Sequence, residues 1–330
     1  MKIVMVGCGL IGNKRAQNSK GGKIVACVDA NPALAKSFSD RYGIDIYESS
    51  LDAVLNNSHL DFDCVILATP HHLLPDLIKK SLQRGKHVLV EKPAARFPEE
   101  LIDLIKISDE HDIKVRIGFN HRYHRAFRKA KEIVEQGELG DLFFIRARYG
   151  HGGRIGYNKE WRANPEISGG GELIDQGSHL IDLSRMFLGD FEKIEGAAKN
   201  YFWEMPVDDN AFIHLTTITG QTAFLQVSCS EWKNTFNFEI YGRNGKLDIS
   251  GLGGSYGVEK LTYYKMLPEM GPPETTSWEY PMADDSWQFE FNEFINDIST
   301  KRKVVPGLVD AYKNLQIINT IYKNSGYDFH

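Results

Sequence analysis

The chain has 330 residues, which is enough for two domains of ordinary size, each with a hydrophobic core of its own. With 42% hydrophobic and 25% charged residues, its composition is typical of a soluble globular protein. The 39 basic and 44 acidic side chains give a net charge of -5, which indicates neither a nucleic-acid-binding surface nor a disordered tail.

The start of the chain and its cysteines bear on where the protein works. The N-terminal apolar run over residues 3–6 is too short for a signal-peptide core, and no later stretch approaches the roughly 18 apolar residues of a membrane span. No two cysteines form a CxxC pair, so neither a structural zinc site nor a disulfide framework is indicated. We therefore expect a cytoplasmic protein without a metal or a membrane partner. Its thiols are expected to be reduced and mostly buried, at Cys8, Cys27, Cys64 and Cys229.

A glycine-rich motif follows the first predicted strand. That strand covers residues 2–6, GCGLIG occupies 7–12, and a helix is predicted over 13–19. A second strand over 23–28 ends at Asp29, where a dinucleotide-binding unit needs an acid for the adenosine ribose hydroxyls. A simple glycine turn is the alternative, but it would explain neither the helix nor the acid. The cofactor-binding residues predicted here are Gly7, Gly9, Leu10, Ile11, Gly12 and Asp29.

Asp29 also bears on which dinucleotide binds. Its carboxylate would repel a 2′-phosphate, and Ala30, Asn31 and Pro32 after it offer no arginine. The sequence therefore favours NAD over NADP, unless a cation arrives from elsewhere.

Apolar strands and amphipathic helices alternate up to about residue 120, which predicts a parallel, doubly wound sheet. Ligands bind at the carboxyl ends of such strands. Two loops meet that condition, and their predicted cofactor-binding residues are Thr69, Pro70, His72, Glu91 and Lys92. Adjacent His71 and His72 do not suit a metal, because neighbouring side chains diverge and no third ligand follows at a telling spacing.

Lys92 stands before Pro93, which favours an extended lysine backbone at a rigid strand end. A cation fixed there is suited to binding a substrate oxygen. A surface lysine that pairs with Glu91 is the alternative.

Beyond about residue 120, long aromatic and β-branched segments predict a half-covered, mostly antiparallel sheet. We place a Rossmann domain at 1–120 and an α+β substrate-binding and oligomerisation domain at 121–330. The final helix, over 307–323, is a candidate to pack back toward the first domain. A broad open sheet favours a homodimer or homotetramer.

The segment GGGELIDQGSHLID at 169–182 predicts a helix with one apolar and one narrow polar face. Asp175 and His179 are four residues apart on that polar face, close enough for the carboxylate to orient the imidazole of a general acid/base. Gly177 costs helix stability of about 1 kcal/mol relative to alanine, so a purely structural helix has little reason to carry it. A solvated polar face is the alternative.

These residues together resemble the Gfo/Idh/MocA oxidoreductases, named for glucose-fructose oxidoreductase and inositol dehydrogenase. The resemblance covers nearly the whole chain. It implies a Rossmann domain followed by an α/β domain with a large open sheet, as the residues themselves predict. The motifs that carry it are GCGLIG at 7–12, ATPHH at 68–72, EKP at 91–93, GFNHRY at 118–123 and GGGELIDQGSHLID at 169–182.

The resemblance implies a catalytic set of Lys92, Asp175 and His179, with the substrate between the nicotinamide and the second domain. His179 then exchanges the proton of the reacting oxygen. Lys92 hydrogen-bonds the substrate and assists proton transfer, and Asp175 positions the substrate and the histidine.

Further residues are assigned to the substrate less directly. Arg122 and Tyr123 contact cofactor or substrate, or else form an ion pair at the domain boundary; His124 stands where many family members have proline. The segment 154–162, which includes Arg154, is suited to stacking on a sugar and pairing with a phosphate or carboxylate. It resembles members from nucleotide-sugar metabolism. The predicted substrate-binding residues are Lys92, Arg122, Tyr123, Trp161, Arg162, Asp175 and His179.

The leading hypothesis is an NAD-dependent dehydrogenase or reductase that acts on CH–OH groups of a sugar, cyclitol or nucleotide sugar. One alternative from the same family is an NAD-assisted glycosidase, which leaves no net oxidation. A non-catalytic NAD sensor is the third hypothesis, and the intact set of Lys92, Asp175 and His179 argues against it.

Overall fold

The computed structural model describes residues 1–329 and divides into two compact units. Unit one comprises residues 1–119 and 287–313, and unit two comprises residues 120–286 and those from 314 onward. The second domain was expected to cover 121–330, with the final helix over 307–323 as a candidate to pack toward the first domain, whereas the segment 287–313 belongs to unit one.

Unit one is built on a six-stranded sheet in the order β3-β2-β1-β4-β5-β6. Every neighbouring pair is parallel, and the residues of the central strands are buried. This confirms the predicted doubly wound fold. The elements are β1 (Lys2–Val6), α1 (Leu10–Gln17), β2 (Lys23–Val28), α2 (Pro32–Tyr42), β3 (Ile46–Glu48), α3 (Leu51–Leu55), β4 (Cys64–Leu67), α4 (Leu74–Gln83), β5 (His87–Glu91), α5 (Ile102–Glu110) and β6 (Val115–Gly118).

Unit two is built on an eight-stranded sheet in the order β14-β13-β12-β11-β7-β10-β9-β8. Its pairs are antiparallel except for β7 with β10, which confirms the predicted, mostly antiparallel sheet. The elements are α6 (Arg125–Glu135), β7 (Leu142–Gly150), α7 (Pro165–Ser168), α8 (Ser178–Leu188), β8 (Phe191–Lys199), β9 (Asn210–Thr217), β10 (Thr222–Ser228), β11 (Thr235–Gly242), β12 (Gly245–Ser250), β13 (Glu259–Lys265) and β14 (Glu274–Tyr280).

Two helices follow the last strand, α9 (Ser286–Thr300) and α10 (Leu308–Asn324). The sequence analysis did not predict α9. Its Phe291 and Phe294 lie in the unit-one core with Ile3 and Met5. Its two buried carboxylates, Glu290 and Asp297, form ion pairs with the buried arginines Arg15 and Arg116. These contacts explain why the segment belongs to the first unit, since an unpaired buried charge would be strongly destabilising.

The segment that carries the acid and the imidazole is not an α-helix throughout. Leu173–Gly177 is a π-helical turn, and α8 begins at Ser178. A π turn closes its hydrogen bonds one residue later than an α-helix, so a regular helical wheel does not describe Asp175 relative to His179.

A Cβ atom at Gly177 would lie 3.0 Å from Leu173 Cδ1 and 3.6 Å from Val227 Cγ2. Close packing against Leu173 and Val227 therefore accounts for glycine at position 177. We had expected a purely structural helix to have little reason to carry it.

All four cysteines are free and buried, as expected. Burial raises the pKa of the Cys64 thiol to about 12, which keeps it protonated and unreactive. None of the helices within residues 1–329 is both long enough and apolar enough to cross a bilayer.

Candidate active site

The glycine turn after β1 meets three separate steric requirements. Gly7 has a φ of +94°, and a Cβ atom there would lie 2.3 Å from the carbonyl oxygen of Ala68. A Cβ atom at Gly12 would lie 1.9 Å from the carbonyl oxygen of Gly7, so α1 packs closely on the turn. At Gly9 nothing lies within 4 Å of an added Cβ atom, and the backbone is open to a ligand. This is the division of roles that a dinucleotide fingerprint requires.

The N-terminus of α1 is suited to binding a phosphate group. The helix begins at Leu10, directly after Gly9, and no side chain caps it. The first N–H groups of a helix have no partner within the helix, and the helix dipole favours an anion there. Leu10 is 84% exposed and Ile11 is half-buried. This turn therefore fits the pyrophosphate of a dinucleotide.

Asp29 lies directly after β2, and its carboxylate is fixed beside the glycine turn. Oδ2 accepts a hydrogen bond from the backbone N–H of Cys8 at 2.8 Å, and Oδ1 accepts one from the N–H of Asn31 at 2.9 Å. An ionised carboxylate has about four acceptor positions, so two backbone donors leave capacity for ribose hydroxyls.

The loop after β4 adjoins the same turn. A Cβ atom at Gly7 would lie 3.2 Å from Cγ2 of Thr69. The Thr69 hydroxyl is buried and has no hydrogen-bond partner within residues 1–329. Pro70 and His72 are half-buried in this loop. A buried hydroxyl of this kind is a group that a bound cofactor would satisfy.

Glu91 and Lys92 lie at the carboxyl end of β5. The Glu91 carboxylate is buried and bound by the Arg15 guanidinium, with Nη2 and Oε1 2.6 Å apart. Arg15 also binds Glu290, so the Glu91 side chain contributes to the interior of unit one. Lys92 is half-buried beside it.

In unit two, the π turn and α8 carry a cluster of buried ionisable groups. The exposed fractions are 1% for Glu172, 8% for Asp175, 5% for His179 and 1% for Asp182. The alternative of a solvated polar face is therefore wrong. Because burial of such groups costs free energy unless they are paired, their partners matter.

Asp175 is bound by one predicted substrate-binding residue, Arg162, which in turn contacts a second, Trp161. Nε of Arg162 donates to Oδ2 of Asp175 at 3.0 Å, and the Arg162 guanidinium lies 4.5 Å from the centroid of the Trp161 ring. Burial alone would lower the pKa of Arg162, but the charge and hydrogen bond of Asp175, together with Tyr157 and Glu160, outweigh burial and raise the pKa. The structure thus brings Arg162 to the predicted catalytic aspartate, and Trp161 lies against Arg162.

Arg122 forms a bidentate ion pair with Asp182. Nε and Nη2 donate to Oδ2 and Oδ1, each at 2.7 Å, and the contact lies inside unit two. Of the two roles predicted for Arg122, the geometry favours the ion pair. Tyr123 is half-buried next to it, and Nδ1 of His124 lies 2.9 Å from Oε2 of Glu259.

Sequence reasoning assigned no individual role to three residues of this cluster. His151 Nε2 lies 3.5 Å from Glu172 Oε1, and the Tyr157 hydroxyl donates to Glu172 Oε2 at 3.5 Å. Burial lowers the pKa of His151, but Glu172 outweighs it and the pKa is raised. The ring of His121 stacks on that of His179. The predicted polar face already included Glu172, Tyr157 lies in the segment 154–162 predicted to contact the substrate, and His121 lies in the motif GFNHRY. No local pattern pointed to His151.

The glycines before the π turn are needed for close packing. A Cβ atom at Gly171 would lie 2.0 Å from the carbonyl oxygen of Asp208. The Asp208 carboxylate accepts hydrogen bonds from the N–H groups of Gly171 at 2.9 Å and Leu173 at 2.8 Å, and from the Tyr322 hydroxyl at 2.7 Å. Asp208 thus anchors the start of the segment that carries Asp175.

Two family models match the chain. Residues 1–119 match the NAD-binding Rossmann fold of the Gfo/Idh/MocA oxidoreductase family, and residues 127–248 match the C-terminal domain of the same family. Together these matches cover more than half of the chain.

Individual relatives agree with this assignment. Levoglucosan dehydrogenase of Pseudarthrobacter phenanthrenivorans is 29% identical over 200 residues, which are 60% of this chain and 50% of that protein. Inositol 2-dehydrogenase of Rhizobium meliloti is 25% identical over 276 residues, 78% of this chain and 76% of that protein. A solved levoglucosan dehydrogenase in complex with NADH has the same fold, with a TM-score of 0.88 at 21% identity over 99% of this chain and 97% of that one. The chain therefore belongs to the Gfo/Idh/MocA family and is an oxidoreductase whose cofactor is NAD.

Proposed function

We propose that the protein is a dehydrogenase or reductase that interconverts a secondary alcohol and a ketone on a sugar, a cyclitol or a nucleotide-linked sugar. The observation that carries the proposal is that Asp175 and His179 are both buried in unit two, in a chain whose unit one has an NAD-binding Rossmann fold. The names of the related levoglucosan and inositol dehydrogenases support the substrate class.

In this proposal His179 is the general acid/base. It takes the proton of the substrate hydroxyl during oxidation and returns it to the carbonyl oxygen during reduction. NAD, when bound, supplies the hydride acceptor. Asp175 stabilises the imidazolium that forms on His179, and Arg162 holds the Asp175 carboxylate by its hydrogen bond at 3.0 Å.

Lys92 is proposed to hydrogen-bond the reacting oxygen and to assist proton transfer. Its position at the carboxyl end of β5, where parallel sheets bind ligands, supports this role. A cation near that oxygen stabilises the negative charge that develops on it.

The loop with Trp161 and Arg162 is proposed to bind the sugar face and an anionic substituent. The indole offers a flat apolar surface of the kind that sugars stack on, and the free edge of the guanidinium has donors for a phosphate or carboxylate. Tyr123 is assigned to the same substrate.

We also propose a homodimer or homotetramer that forms through the open face of the unit-two sheet.

The test is the absorbance of NADH after the purified protein is mixed with NAD and a panel of sugars, cyclitols and nucleotide sugars. A rise with one class is expected and would identify the substrate group. The release of free sugar is measured in parallel. Sugar release without NADH would replace the proposal with an NAD-assisted glycosidase. No reaction with NAD, and none with NADH and the corresponding ketones, would overturn the proposed substrate class.

A further inference from the structure

His121 lies against the proposed acid/base. It is part of the turn Asn120–Tyr123 and is 7% exposed. The centroids of the His121 and His179 rings are 3.7 Å apart, and the ring planes differ by 18°. Two imidazoles are thus stacked face to face in the interior of unit two.

The hydrogen-bond partners of His121 favour one tautomer. Asn120 Nδ2 donates to the Ser286 hydroxyl at 3.1 Å, which leaves Oδ1 of the amide facing Nδ1 of His121 at 3.2 Å. An amide oxygen only accepts hydrogen bonds, so Nδ1 must carry a proton.

The second ring nitrogen of His121 faces a phenol. Nε2 of His121 lies 3.2 Å from the hydroxyl of Tyr149 in β7. Burial and the neighbouring Tyr256 raise the pKa of Tyr149 well above its usual value, so the phenol stays protonated. An imidazole with its proton on Nδ1 presents Nε2 to this hydroxyl as an acceptor. The contacts with Asn120 and Tyr149 fit a neutral His121 with its proton on Nδ1.

The stacking of His121 on His179 restricts the charge states of the two imidazole rings. Two buried imidazoles at this separation cannot both be cations, because like charges disfavour one another strongly in a desolvated site. Tyr149 and Phe236 from the sheet pack on His121, and Tyr256 packs on Tyr149. His124, directly after the turn, also packs on His121 and is paired with Glu259. The nearest acids to His179 in the chain are Asp175, four residues before it, and Asp182, three after it. Because Nδ1 and Nε2 of His121 are both engaged in the ring plane, its face is the part that His179 meets.

We propose that His121 is a positioning residue, a neutral imidazole fixed as the Nδ1–H tautomer that holds the His179 ring in one plane for proton transfer. The inference rests on the proposed role of His179. His121 itself exchanges no proton with the substrate. Turnover falls steeply when the ring of a general acid/base is displaced from its position. The flat His121 ring that supports His179 is therefore expected to raise kcat by a measurable factor.

The direct test is nitrogen NMR of the full-length protein labelled with ¹⁵N-histidine, titrated from about pH 5.5 to about pH 9. The chain has 11 histidines, and the variants His121→Gln and His179→Gln assign the two signals by their loss. We expect His121 to stay neutral with the Nδ1–H pattern throughout. An Nε2–H tautomer, or protonation of His121 within this range, would overturn the proposal.

Kinetics then separate ring support from a simple contribution to folding. With His121→Ala we expect kcat to fall about 10-fold, whereas His121→Phe, which keeps a flat ring, restores it to within about 3-fold of the unchanged protein. The KM for NAD should stay constant in both variants. The control is His59→Ala, at an exposed position in unit one. Wild-type kcat in His121→Ala would contradict the positioning role.

The tautomer measurement needs no turnover, so the two proposals fail separately. If no substrate reacts in the unchanged protein, the proposed function fails while the NMR result still decides the state of His121. If hydride transfer is found but the phenylalanine variant is as slow as the alanine variant, the ring-support role fails and the proposed function stands.

Discussion

His179 and Asp29 are the residues whose proposed roles are easiest to separate, because one serves proton transfer and the other binds the cofactor. His179 is 5% exposed, and its neighbour Asp175 is held by Arg162. We expect His179→Ala to bind NAD as tightly as the unchanged protein while turnover falls by about 10² or more, the usual contribution of a general acid/base. NAD affinity is measured by fluorescence titration and turnover by NADH absorbance. A variant with normal turnover would remove His179 from the mechanism.

Asp29→Ala should have the opposite effect. The carboxylate is fixed by the N–H groups of Cys8 and Asn31 and is proposed to accept the adenosine ribose hydroxyls. Loss of a hydrogen bond to a charged acceptor weakens binding by roughly 10-fold or more, and it also removes the repulsion of a 2′-phosphate. We expect a higher Kd for NAD and a smaller preference over NADP, with kcat at saturating NAD little changed. An unchanged ratio of the two affinities would exclude Asp29 from the ribose site.

At the level of elements, the start of the π turn depends on Asp208. Burial raises the pKa of this carboxyl to about 6, against hydrogen bonds from Tyr322, Leu173 and Gly171 that lower it. The folded protein therefore binds this proton more tightly than the unfolded chain, whose value is about 3.8. Protonated Asp208 contributes about 3 kcal/mol to the free energy of unfolding. This contribution is present in full below about pH 4 and is lost as the pH rises through about 6.

Asp208→Asn tests this dependence, because the amide stays neutral at every pH. We expect the melting temperature of the variant, relative to the unchanged protein, to rise between about pH 4 and about pH 7. Asp141→Asn, at an exposed position, is the matched control and should show no such slope. A difference in melting temperature that does not vary with pH would contradict the assigned role of Asp208.

The elements that the sequence predicted well are those whose signal is local. The first 29 residues contain, in order, the first strand, the glycine turn, the helix and the second strand with its terminal acid. The cofactor-binding site could therefore be predicted without long-range contacts. The helix α9 was missed because its main partners, Arg15 and Arg116, are more than 170 residues away in the sequence. The π turn was missed because apolar periodicity does not distinguish it from an α-helix.

The candidate site shows the same limit. Asp175 and His179 were found because they lie four residues apart in one motif. Their partners Arg162 and His121 reach them from other segments, and neither contact has a signature in the local sequence. Burial of the cluster could not be predicted either, since a polar helical face in isolation resembles a solvated one.

For the whole molecule, the two faces of the unit-two sheet differ in exposure. Ile213 and Leu225, which alternate with outward-facing residues, are fully buried on one face. On the other face Phe212 is 39% exposed and Phe224 is 51% exposed, and the register places them diagonally across β9 and β10. Large exposed aromatic side chains on a broad sheet are typical of a protein interface, and a second copy of the chain is the simplest partner.

Self-association of the chain tests this interface. In a two-fold interface each substitution occurs twice, and loss of one buried aromatic ring costs about 1.5–3 kcal/mol per copy. We therefore expect Phe224→Asp to weaken self-association at least about 100-fold and to shift sedimentation toward a single chain. Leu34→Asp, at an exposed apolar position of unit one, should leave the assembly unchanged. Monomeric behaviour of the unchanged protein at micromolar concentration would contradict the interface, and unaltered sedimentation of Phe224→Asp would place it on another surface.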